Sequence, residues 1–109
     1  MKLRIILVLS LLMSISVRAG TITVSAAISL KDALAEIDAA YEKQGGDHIE
    51  LVVGSSGELS AQIQQGAPVD LFISAAWKQV NELTKAGIAD ESTKKVIVKN
   101  SLVLVAPAD

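Results

Sequence analysis

The sequence predicts an α/β domain, a parallel sheet with flanking helices. Three observations predict it. Strand-like and helix-like patterns alternate three times, the turns between them are short, and the third strand-like run, "VDLFISA", is almost wholly apolar. Short turns between unlike elements favour parallel strands whose crossovers are helices. A continuous apolar run suits a strand buried on both faces.

The pattern starts only after a leader. "MKLR" is basic, "IILVLSLLMSISV" is apolar, and "VRA" precedes Gly20. Basic start, apolar run and small-residue cut site make residues 1–19 a secretory signal peptide, cut after Ala19. The run is shorter than the roughly 20 apolar residues of a membrane span. No Cys follows it to carry a lipid. Residues 20–109 are then the mature segment, placed in the periplasm and not inserted in the membrane once the leader is gone.

The mature segment opens on "TITVSA", Thr21 to Ala26, a β-branched strand. "SLKDALAEIDAAY" follows as a helix, with Leu30, Ala33, Leu34, Ile37 and Tyr41 at helical spacing. Ser29 is its expected N-cap and Asp32 the partner in a capping box. Gly45 or Gly46 ends it. The second strand is "HIELVV", His48 to Val53, and the second helix runs from Glu58 to Gln65. Ser55 and Glu58 form an S-x-x-E capping signal, and Gly66 with Pro68 stops the helix. The third strand spans Val69 to Ala75. The helix "AWKQVNELTKAG" ends at Gly87 with Val80 and Leu83 facing in. A polar connection leads to an extended piece at Val96 to Val98. A fourth buried strand is expected over "SLVLVA", Ser101 to Ala106.

Charge excludes one class of partner. Beyond the leader stand seven lysines, twelve acids and no arginine, a formal charge of −5. An acidic segment without a basic patch does not hold nucleic acid. One His and no Cys leave almost nothing for a zinc site. His48 reads as a surface residue, Asp70 as a hydrogen-bonded structural group, Trp77 and Tyr41 as core or groove packing, and Lys94 with Lys95 as a solvated connection. "GSSGE" is neither a G-x-S-x-G nucleophile elbow nor a P-loop. No catalytic residue and no cofactor are assigned, although an exported hydrolase using Ser56 is a third reading to be tested.

The chemistry concentrates at two turns. Ligands of open parallel sheets sit beyond the carboxyl ends of the strands. Ser29 follows the first strand there, and Ser55 and Ser56 follow the second. Each turn opens a helix, where free N–H groups and the helix dipole attract an anion. Gly54 and Gly57 let backbone come close to a ligand. Hydroxyl and N–H donors without a positive side chain suit an oxyanion that carries no proton. The same serines also fit plain helix caps, and the turns alone leave both readings open.

Longer stretches add a resemblance. "ITVSAAISLKDAL", "GSSGELSAQIQQGAPVDLFISA" and "NSLVLVAP" resemble, in order, the motifs of the periplasmic molybdate-binding proteins of ABC transporters. The match runs from about Thr21 to Pro107. It implies residues 20–109 to be a partial first lobe of a two-lobed, type II periplasmic binding protein fold. It implies molybdate or tungstate as ligand, held by Ser29 and Ser56 as the groups around the metal oxyanion. Ile28, Ser55 and Gly57 are supporting positions. It also implies an ABC permease and ATPase complex as partner. Two positions depart from the family pattern: Ile28 stands where a third alanine is usual, and Ala76 where an acid is usual. The second lobe is not present in this chain, so a sulfate-type oxyanion, or a non-binding remnant, are the alternative expectations.

Overall fold

The computed structural model describes residues 20–107; the predicted leader lies outside them. Three parallel strands form the sheet: β1 (Thr21–Ala27), β2 (His48–Gly54) and β3 (Leu71–Ile73). Their order is β2-β1-β3. The three helices are α1 (Lys31–Lys43), α2 (Ser56–Gln64) and α3 (Trp77–Lys85). Short 3₁₀ turns occupy Ile28–Leu30 and Glu91–Thr93.

β1 is the middle strand, and its burial shows it. Val24, Ser25, Ala26 and Ala27 are all buried in succession, so both faces are covered. The small side chains after Val24 let helices approach the sheet. Leu59 of α2 and Leu83 of α3 complete the core, at 2% and 1% exposure. All seven β1 residues pair with β2, from Thr21↔His48 to Ala27↔Gly54. Only three pair with β3, Val24↔Leu71 to Ala26↔Ile73.

The helices stop as their glycines predict. Gly45, Gly66 and Gly87 all have positive φ, near +81°, +96° and +71°. After α1 the N–H of Gly45 donates to Glu42 O and that of Gly46 to Tyr41 O, a Schellman ending. A side chain at Gly46 would collide with the Tyr41 ring lying over it.

Several expectations are corrected. The capping box of Ser29 and Asp32 does not form: Ser29 lies inside the 3₁₀ turn, and α1 starts at Lys31 with Leu30 at its N-cap and no side-chain cap. The apolar positions of α1 are not a buried stripe. Leu30 and Leu34 are half-buried, while Ala33, Ile37 and Tyr41 are exposed. α2 begins two residues earlier than Glu58. β3 is shorter than Val69 to Ala75 and is an edge strand, with Leu71 48% exposed. Side chains trim it at both ends. Asp70 takes the Thr23 N–H on its carboxylate, and Ser74 Oγ accepts the N–H of Ala76, folding the chain out of the ladder.

The expected fourth strand is absent among the described residues. Val96 to Val98 and Ser101 to Ala106 have no strand pairing, and Leu102 to Val105 are 80% exposed or more. An apolar β-prone run becomes a strand only where a ladder partner is available. Lys94 also departs from the solvated reading. It is half-buried, bonds Asn81 Oδ1 at 3.2 Å, pairs with Glu91, and its Nζ lies 5.7 Å from the centre of the Trp77 ring.

Candidate functional site

Three turns meet the carboxyl end of the sheet: Ile28–Leu30 after β1, Ser55–Gly57 after β2, and Ser74–Ala76 after β3. The register fixes their relation. Ala27 and Gly54 are the last paired residues of β1 and β2. Ser29 and Ser56 each stand two residues beyond that pair, on adjacent parallel strands.

The hydroxyls of these turns divide into two groups. Ser55 Oγ accepts from the Glu58 N–H at 3.2 Å and donates to Glu58 Oε2 at 2.8 Å. Ser74 Oγ accepts from the Ala76 N–H at 3.2 Å and donates to Ala76 O at 2.7 Å. Both protons are therefore spent locally. Ser56 Oγ accepts from the Ala75 N–H at 3.0 Å and has no acceptor of its own among the described residues. Ser29 has no side-chain partner among them either. The protons left for a ligand on these turns are those of Ser29 and Ser56.

Backbone donors add to them. Ser55 is the N-cap of α2, and its hydroxyl satisfies the Glu58 N–H while its carbonyl accepts from Leu59. The N–H groups of Ser56 and Gly57 have no acceptor in the protein among the described residues, as the first turn of a helix requires. A Cβ built on Gly57 would meet nothing within 4 Å, so the space above it is open. At Gly54 the same atom would lie 3.3 Å from Leu59 Cδ2. Gly54 thus serves the packing of α2 on the sheet, and Gly57 faces open space.

Ser29 is exposed and Ser56 half-buried. Ser29 also lines a wide groove of about 1100 Å³ that continues past Ser74, Ala75, Ala76 and Trp77. Trp77, 49% exposed, belongs to this groove rather than to the core. Ile28, a supporting position beside Ser29, points a 58% exposed side chain away from the core. Ser55, expected as a supporting position, caps α2 with its hydroxyl. Sequence reasoning did not single out Ala75, whose contact with Ser56 is made by backbone and carries no residue signature.

Three titratable groups have shifted pKa values, and none of them stands on the turns that carry Ser29 and Ser56. His48 donates through Nδ1–H to Glu42 Oε1 at 2.8 Å, and this bond raises its pKa. Asp90 is lowered by the hydroxyl and N–H of Ser92, and Glu91 by Lys94 and then Thr84. Among the described residues, no group of three or more His, Cys, Asp or Glu could hold a metal ion. No helix there is long and apolar enough to cross a membrane.

Comparison with known proteins agrees with this fold. Residues 22–109 match the family "Bacterial extracellular solute-binding protein". The chain is 40% identical over 88 residues to the molybdate-binding protein ModA of Haemophilus influenzae, covering 80% of this chain and 35% of that one. It is 41% identical to ModA of Escherichia coli, covering 81% and 34%. It is 44% identical over 91 residues to the putative ABC transporter substrate-binding lipoprotein YvgL of Bacillus subtilis, covering 80% and 34%. A solved substrate binding domain of a putative molybdenum ABC transporter from Clostridium difficile superposes with a TM-score of 0.59 at 45% identity, over 61% of this chain and 29% of that one. The chain thus spans about a third of the length of the curated relatives it matches. With a family match over residues 22–109, and an α/β sheet of the matching kind, this chain belongs to the bacterial extracellular solute-binding proteins.

Proposed function

We propose that the chain is an exported solute-binding protein segment that holds molybdate, or tungstate, for an ABC importer made of a permease and an ATPase. Ser29 and Ser56 donate their hydroxyl protons to the oxyanion. The free N–H groups of Ser56 and Gly57, at the positive end of α2, donate beside them. The observation that carries this reading is the pair of uncommitted hydroxyls at matched positions beyond Ala27↔Gly54. Its support from outside the site is the 40–41% identity to proteins named for molybdate binding.

The chemistry is binding rather than turnover. A doubly negative tetrahedral anion offers only acceptors, and every group left free on these two turns is a donor. The dipole of a nine-residue helix supplies positive potential without a charged side chain. Released anion then needs no ion pair to break.

Melting of the purified protein tests this reading. A ligand that binds only the folded state raises the midpoint by mass action. Millimolar molybdate and tungstate are expected to raise it, with sulfate giving a smaller rise or none. Equal rises with all three would reassign the site to tetrahedral oxyanions at large. No rise with any would contradict the proposal, and ester hydrolysis lost on Ser56→Ala would replace it with an enzyme.

A further inference from the structure

We infer that the backbone N–H of Ala75 is a positioning group for Ser56, turning its hydroxyl into an obligate donor to the bound anion. The inference rests on the reading of Ser56 as an oxyanion donor and deepens it.

A serine hydroxyl has one proton and two acceptor sites, and its proton rotates to suit its neighbours. Left alone on a turn, it donates to water or backbone as readily as to a ligand. Ser55 and Ser74 each accept an N–H from their own turn and place the proton on an oxygen of that same turn. Ser56 accepts its N–H from a different element of the fold. The Ala75 N–H fills one acceptor site of its Oγ at 3.0 Å. A proton on Oγ cannot turn toward another donor hydrogen, so it is directed away from Ala75. Among the described residues no protein oxygen receives it.

The bond also spans the sheet edge. It links the first residue of α2 with the turn that follows β3, 19 residues further on. The oxygen is therefore fixed by two elements rather than by its own rotamer. β3 is held to β1 by only three register pairs and by the Asp70 clamp. This short strand has a role that its length does not suggest: it delivers one N–H to the anion site. A donor oriented before the ligand arrives loses less entropy when the ligand binds.

An amide-to-ester exchange at position 75, placing the α-hydroxy analogue of alanine there, replaces this N–H by an ester oxygen and weakens the Ser74 carbonyl as an acceptor, while every side chain is kept. Molybdate binding is measured by calorimetry for the parent, this ester variant, Ser56→Ala, and the two combined. About tenfold weaker binding is expected for the ester variant, the scale of one hydrogen bond to a charged group. The combined variant is expected to bind no worse than Ser56→Ala, because the N–H acts only through that hydroxyl. Ser56→Thr keeps an Oγ and is expected to restore the sensitivity to the ester. An ester variant that binds like the parent, or an equal ester penalty in the Ser56→Ala background, overturns the positioning role alone. A parent that does not bind molybdate overturns the oxyanion reading and this inference with it. Should the ester variant fail to fold, amide exchange at Ala75 decides: slow exchange in the parent and Ser56→Thr but fast in Ser56→Ala supports the role, and equal rates overturn it.

Discussion

Thr23 and Asp70 exchange two hydrogen bonds across the β1–β3 boundary. The Thr23 N–H donates to Asp70 Oδ2 at 2.8 Å, and the Asp70 N–H donates to Thr23 O at 3.0 Å. The aspartate side chain thus does the work of a strand acceptor one residue before the ladder begins at Val24↔Leu71. Asp70→Ala is expected to lower stability by about 1 kcal/mol. Asp70→Asn keeps an acceptor oxygen and is expected to cost less. Urea unfolding of the two variants checks the order.

The two serines of the G-S-S-G turn separate stability from binding. Ser55→Ala removes the α2 cap and is expected to cost about 1 kcal/mol of stability, with oxyanion affinity little changed. Ser56→Ala is expected to weaken molybdate binding about tenfold or more. Calorimetry and melting on both variants read the two effects; the reverse assignment would show Ser55 to be the ligand.

The two glycines flanking those serines are not equivalent. A methyl at Gly54 presses on Leu59, which is 2% exposed and sits in a closely packed core. Gly54→Ala is expected to lower the melting midpoint. Gly57→Ala meets open space and is expected to leave it nearly unchanged. A lower midpoint for Gly57→Ala than for Gly54→Ala would contradict the packing described.

His48 gives a pH signature. Its bond to Glu42 raises its pKa above 6.5, with burial opposing and Glu42, Asp38 and Glu50 adding attraction. A group whose folded pKa exceeds its unfolded value stabilises the fold below the unfolded pKa, and this contribution fades as pH rises through the folded pKa. The parent is therefore expected to lose stability relative to Glu42→Gln as pH rises above 6.5 and through the raised folded pKa. Parallel pH profiles for the two proteins would contradict it.

Leu83 joins α3 to the core and is 1% exposed. Leu83→Ala is expected to cost about 2–5 kcal/mol. In a core with so few fully buried side chains this is expected to abolish cooperative melting.

Much of this fold was legible in the sequence, where local chemistry decides structure. Ser55 with Glu58 announces the α2 cap, and that cap forms. Gly45, Gly66 and Gly87 announce three helix ends, and all three take the left-handed conformation. Patterns whose outcome depends on distant partners were less legible. "VDLFISA" reads as a fully buried strand, yet Asp70 and Ser74 shorten it by hydrogen bonds to Thr23 and Ala76. "SLVLVA" reads as a strand but has no ladder partner among the described residues. Ser29 has the composition of a cap, but the 3₁₀ turn carries it past the cap position. At the candidate site, side chains mark both turns, while the Ala75 N–H has no residue type to mark it.

The most direct test of the anion site is a crystal of the protein grown with molybdate and measured at the molybdenum absorption edge. An anomalous peak is expected at the carboxyl end of the sheet, within hydrogen-bond reach of Ser29 Oγ, Ser56 Oγ and the Gly57 N–H. A fully occupied peak elsewhere, or no peak in crystals whose two turns are free of lattice contacts, would contradict the account.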